Sequence, residues 1–188
     1  LKTLYYSELG QVYEAVGDHG QALAQYAELV KLMPYQIDGY LAQGGVYYKG
    51  LQQYDKALPY YELAMRLDPG NHRLLIQVAQ LYEDAGDTKR ALETALEAVD
   101  VAPTEQKHQA SYLAGQFYLA QGEFALAQEL YQKSIEGGAN WARSHAGLGQ
   151  IYLVQGDCDK AEPEFREALR IEPNLEIARE GLEACLQE

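Results

Sequence analysis

One spacing recurs down the whole chain and limits what the chain can fold into. A small residue, two variable residues and a tyrosine are followed by alanine nine residues on, an aromatic four later and a proline eight beyond that. Tyr13, Tyr48, Tyr82, Tyr118 and Tyr152 mark the first slot, and Ala22, Ala57, Ala91, Ala127 and Ala161 the second. Tyr26, Tyr61, Ala95, Tyr131 and Phe165 then lead to Pro34, Pro69, Pro103, Ala139 and Pro173. The last slots lie 35, 34, 36 and 34 residues apart, so the chain is five units of nearly equal length. A unit this short cannot bury its apolar face alone, so the units must stack.

Each unit carries apolar residues at helical spacing in two segments, separated by Gly17-Asp18, Gly86-Asp87, Gly122-Glu123 or Gly156-Asp157. That reads as helix, tight turn, helix. Small residues at Gly10, Gly45, Ala79, Gly115 and Gly149 are expected to face the ring carried by the second helix, and the slot alanines to let the two backbones approach. The terminal proline cannot continue the helix. Pro59 and Pro163 fall inside second helices, and Asp55 and Asp159, four residues earlier, are expected to cap those helices so that each proline lies in a first turn.

On these residues the chain resembles the tetratricopeptide repeat over positions 3 to 175. The resemblance implies an all-α, right-handed α-solenoid (superhelix) of helix-turn-helix units, one array over 1–188. Repeats are placed at 3–36, 38–71, 72–105, 108–141 and 142–175, with a capping helix over 176–188 that solvates the open end. Departures are Gly44 at a usually large position, Ala95 for the aromatic, and Gly137-Gly138-Ala139 for the proline stop, which predicts a looser joint before Trp141. Trp141 itself reads as a wedge between repeats.

Such arrays resemble peptide-binding superhelices whose first helices line a concave groove, so residues that packing does not use are the candidates for function. Gln11, Gln80, Gln116 and Gln150 recur two residues before the slot tyrosine, with Val46 in that place in the second unit. A ladder of amides can donate to and accept from an extended ligand backbone; the alternative is a polar residue merely tolerated there. Tyr112 and Leu119 flank Gln116, and Leu153 and Val154 follow Gln150, which gives an apolar stretch on the same face, unless these residues pack between repeats. Arg73 and Arg143, near helix starts, can hold a carboxylate or phosphate. Glu14, Glu83 and Asp84 add acidity toward the amino-terminal half. A branch of the family clamps carboxy-terminal peptides with Lys and Asn; the corresponding sites here are Ser7, Gln11, Gln43, Arg73 and Gln77, of which Arg73 alone keeps a cation, so that function is set aside.

The formal charge of −13 over 188 residues excludes a surface built for nucleic acid or anionic lipid and favours a partner with basic and hydrophobic segments. No apolar run nears the ~20 residues a spanning helix needs. Neither a Gly-Lys phosphate loop nor GxGxxG, GxSxG or HExxH is present. The histidines, His19, His72, His108 and His145, fall in different units and form no metal pair. Cys158 and Cys185 read as two separate thiols; pairing requires the last helix to fold back along the one before it, and the Cα separation decides.

The expectation is a non-catalytic scaffold or adaptor with no cofactor or metal, binding a protein or peptide in its groove. Two alternatives stand beside it. The first is a docking module of a larger protein, suggested by a chain that starts at Leu1 just before its first helix. The second is a self-assembling scaffold. The compartment is left open.

Overall fold

The computed structural model describes residues 1–137 and 141–186. It is all-α, and tight Cα packing groups the chain into two compact units, Leu1–Ala91 and Leu92–Glu188, each taken by itself below.

The first unit holds α1 (Lys2–Ala15), α2 (His19–Leu32), α3 (Ile37–Gly45), α4 (Tyr54–Leu67) and α5 (His72–Asp84), and α6 (Thr88–Val101) begins in it. The second holds α7 (Lys107–Ala120), α8 (Phe124–Gly137), α9 (Ala142–Val154), α10 (Cys158–Ile171) and α11 (Glu176–Leu186). Within each unit, α1 packs on α2, α3 on α4, α7 on α8 and α9 on α10; α2 meets α3 and α8 meets α9. The expected joint at Gly138 and Ala139 lies outside the described residues.

The turns repeat because glycine permits them. Gly17, Gly86, Gly122 and Gly156 take φ between +73° and +82°, a left-handed conformation that costs glycine no Cβ clash. The following residue often starts the next helix: Asp18 accepts from the Gln21 amide at 3.0 Å and Asp157 from the Lys160 amide at 3.2 Å. In the remaining unit the turn is made by Gln52 at φ 53°. Gln52→Gly is therefore expected to raise stability by about 1 kcal/mol, read from the urea midpoint at unchanged slope.

Rings fill the space between paired helices. Tyr26 lies against Gly10, Tyr131 against Gly115 and Phe165 against Gly149; a Cβ would stand 2.9 Å from the ring at Gly115 and 2.6 Å at Gly149. Tyr131 and Phe165 are each closed from the other side as well, by Gly147 and Gly181. Around Tyr26 gather Ala22, Leu29 and Val46; around Tyr131 Ala127, Leu148 and Ile151; around Phe165 Ala146, Ala161, Ala168 and Ala178.

Three sequence expectations are corrected. The ring-facing glycine of the second repeat is Gly44, whose Cβ would stand 2.8 Å from Tyr61, and not Gly45, which has open space. The helix after α3 continues as a π-turn over Val46–Gly50, with the Leu51 amide donating to the Val46 carbonyl at 2.9 Å. One extra residue is housed there: Gly44 to Ala57 is 13 residues, whereas Gly10 to Ala22 and Gly149 to Ala161 are each 12. Val46 is consequently core, fully buried, and Gly45 takes the place that glutamine holds elsewhere.

The capping aspartates are also displaced. α4 and α10 start at Tyr54 and Cys158, after Gln53 and Asp157, so Asp55 and Asp159 lie in first turns, and Pro59 and Pro163 are sixth residues. Each proline forfeits one backbone bond, and the helices still run on to Leu67 and Ile171. Finally, Cys158 and Cys185 are not separate thiols. They form a disulfide, with Cα atoms 5.4 Å apart, because α11 folds back along α10.

Candidate binding site

Helical spacing carries Tyr112, Gln116 and Leu119 of α7 up one face, and Arg143, Gly147 and Gln150 of α9 up another. Together they line one cavity of about 320 Å³ in the second unit. Tyr131 of α8 contributes the floor, which is open because Gly147 has no side chain over the ring. Leu175 and Ile177, at the start of α11, complete an apolar wall. Five residues singled out from the sequence thus meet here: Tyr112, Gln116, Leu119, Arg143 and Gln150.

The others lie elsewhere. Gln11 lines a cavity of about 400 Å³ with Ser7, Met33, Asp38 and Ala42 in the first unit. Gln80 lines one of about 290 Å³ with Gln77, Ile76, Tyr48, Lys49 and Tyr61. Gln80 also donates to Asp84 at 3.2 Å, and Asp84 accepts from the Tyr48 hydroxyl, so that acid is engaged in packing. Glu14 likewise accepts from Tyr26. Arg73 is exposed at the start of α5, one turn before Gln77 on the same face, and lines none of these cavities. Leu153 packs against the Phe165 cluster beside Leu175 and Leu182, away from the cavity lining.

The polar side chains of the α7–α9 cavity are those of Gln116, Gln150, Arg143 and the tyrosines Tyr112 and Tyr131. Gln116 is exposed, Gln150 half-buried, and Arg143 exposed, with no ion pair among the described residues. Tyr112 stacks at a tilt on Tyr131, ring centroids 6.0 Å apart, and meets Trp141 edge-on at 6.0 Å. Burial pushes the Tyr112 hydroxyl above its usual pKa, Glu172 adds to this, and the Arg143 guanidinium opposes it. The phenol therefore stays neutral at pH 7, able to donate and accept. Trp141 also packs at a tilt against the His108 ring, centroids 5.0 Å apart, and so wedges the start of α9 against α7.

Sequence reasoning missed Leu175, Ile177 and Gly147. The signal for the first two was present, since Ile177 is apolar in a segment whose other role is solvation, but which way it faced was not. Among the described residues no group of three His, Cys, Asp or Glu side chains could hold a metal ion, and no helix is long and apolar enough to cross a membrane. His145 contacts Glu164 at 2.8 Å, half-buried, and ties α9 to α10.

Paired helices in tandem, with rings packed against glycines and side chains left over on the first helices, define an α-solenoid repeat protein. The chain belongs to the tetratricopeptide-repeat family: three models of that repeat match it, over residues 7–72, 40–116 and 108–173. Among curated proteins it is 27% identical over 128 residues to the general transcriptional corepressor ssn6 of Schizosaccharomyces pombe, covering 67% of this chain and 11% of that one. It is 33% identical over 89 residues to the Arabidopsis thaliana protein named "Probable UDP-N-acetylglucosamine--peptide N-acetylglucosaminyltransferase SEC", covering 47% of this chain and 9% of that one. The chain thus spans about a tenth of the length of these relatives. Among solved structures, MamA superposes with TM-score 0.76 at 23% identity, over 92% of both chains. YrrB, described as a TPR protein with an unusual peptide-binding site, gives 0.74 at 21%, over 95% of this chain and 90% of that one. At these identities the likeness is one of fold.

Proposed function

We propose that this chain is a non-catalytic scaffold that captures an extended segment of a protein partner, seated in the cavity between α7, α9 and the start of α11. The observation that carries the reading is the convergence of Tyr112, Gln116, Leu119, Arg143 and Gln150 on one cavity that sets polar side chains beside an apolar wall. An apolar partner side chain fills the space bounded by Leu119, Tyr131, Leu175 and Ile177. Gln116 and Gln150, each both donor and acceptor, take the partner's backbone amides and carbonyls. Arg143 takes an acceptor, a carbonyl or a carboxylate. The net charge of −13 favours a segment with basic residues outside the cavity.

The test is selection from a displayed library of random dodecapeptides, counter-selected on a Gln116→Glu, Arg143→Glu variant. Enrichment of peptides with an apolar anchor, lost on the variant, supports the reading. Peptides retained equally by both proteins sink it. A second reading has its own support in the short coverage of much longer relatives: the same cavity acts as the docking part of a larger protein. The selected peptide motif, sought in the remainder of the full-length reading frame, separates an internal ligand from one on another chain.

A further inference from the structure

The helix that completes the cavity wall is packed along one face, and most of its residues are exposed. Of its 11 residues only Ala178 and Gly181 are buried, both against the Phe165 cluster, with Leu182 and Cys185 partly buried beside them. Ile177 stays 39% exposed and Leu186 64%. A helix this short has little stability of its own. Both its ends are nevertheless fixed. Its start follows directly from Leu175, and near its end Cys185 is bonded to Cys158, the first residue of α10. Leu175 and Ile177, two of the apolar residues that face the cavity, belong to this same fastened segment.

We propose that the Cys158–Cys185 bond is a redox latch on the cavity, a reading that rests on the binding function above. Closed, it keeps α11 folded against α10, so that Leu175 and Ile177 present a finished apolar wall to the partner. Opened by a dithiol reductant, it leaves α11 attached at one end only, and the wall loosens. The exchange balances as two thiol–disulfide steps. A reductant thiolate attacks one protein sulfur and forms a mixed disulfide, expelling the other cysteine as thiolate; the second reductant thiol then closes the reductant's own disulfide and expels the remaining cysteine. Two electrons pass to the protein bond, and the two protons given up by the reductant end on the cysteines. Both sulfurs belong to half-buried residues at the surface of the α10–α11 pair, within reach of such a reagent.

The experiment is hydrogen exchange on the whole chain, with and without dithiothreitol, beside the affinity of a peptide selected as above. Reduction is expected to speed amide exchange in residues 175–186 by on the order of tenfold to a hundredfold, and to leave α1–α4 as they were. Peptide affinity is expected to fall about tenfold, and a Cys158→Ser, Cys185→Ser variant to bind as weakly as the reduced protein whether or not reductant is present. Thiols that alkylate in the air-oxidised protein, or exchange at 175–186 that reduction leaves unchanged, overturn the latch. Faster exchange with unchanged peptide affinity overturns its control of the cavity and leaves the binding reading standing. Selection that yields no peptide on the oxidised protein overturns the binding reading, and this inference with it.

Discussion

Replacing Phe165 by alanine is expected to destabilise the chain by about 3 to 5 kcal/mol, the largest effect of any single substitution proposed here. The ring is fully buried, and the buried residues around it, Ala146, Ala161, Ala168 and Ala178, are all too small to fill the void it would leave. Gly149 and Gly181 close on its two sides. This arrangement makes a sharper expectation available. Gly149→Ala in the natural chain places a Cβ 2.6 Å from the ring and is expected to cost about 1 to 3 kcal/mol. In the Phe165→Ala background the ring is gone, and the same change is expected to be neutral or stabilising by up to about 1 kcal/mol, because alanine is the better helix former. Urea unfolding of the two single variants and the double variant reads the coupling. Additive costs would mean that glycine and ring are not packed on one another as described.

The second large effect is on binding. Gln116→Glu with Arg143→Glu is expected to weaken capture of a cavity-selected peptide by about a hundredfold, while the unfolding midpoint moves by less than about 0.5 kcal/mol equivalent. Both side chains are exposed, so neither change buries a charge. Tyr112 is left in place deliberately: it packs on Tyr131 and Trp141, and burial already disfavours its ionised form, so a carboxylate there would confound binding with unfolding. Isothermal titration beside the unfolding curve separates the two readouts. A variant that unfolds early, or one that binds as the natural chain does, would remove these residues from the site.

Most of the fold was legible because its repeating slots are packing positions. Tyr26, Tyr131 and Phe165 need a small partner on the facing helix, and that demand recurs at a fixed distance whatever the rest of the unit does. The register failed at one place, where Tyr48 was used as the anchor. The distance from Gly44 to Ala57 held the correct answer, one residue longer than its equivalents, but a tyrosine in a familiar slot masked it. The cavity was legible as far as α7 and α9, since Tyr112, Gln116, Arg143 and Gln150 follow from helical period alone. Its remaining wall was not. Leu175 and Ile177 reach the cavity because α11 folds back, and the disulfide that records this return joins residues 27 apart, a separation that says nothing of their distance in space. Leu153 shows the limit from the other direction: period alone put it on the cavity face, and the cap helix covers it.

The π-turn at Val46–Gly50 bears on how a protein of this kind can change in length. An added residue in a helix ordinarily rotates everything beyond it by about 100° and would carry the next glycine and alanine off their ring. Here the surplus is absorbed within a single turn, and Gly44, Tyr61 and Ala57 keep their places. A copying slip within one unit is thereby confined to that unit. Tandem duplicates can drift in size individually while the stack they form stays in phase.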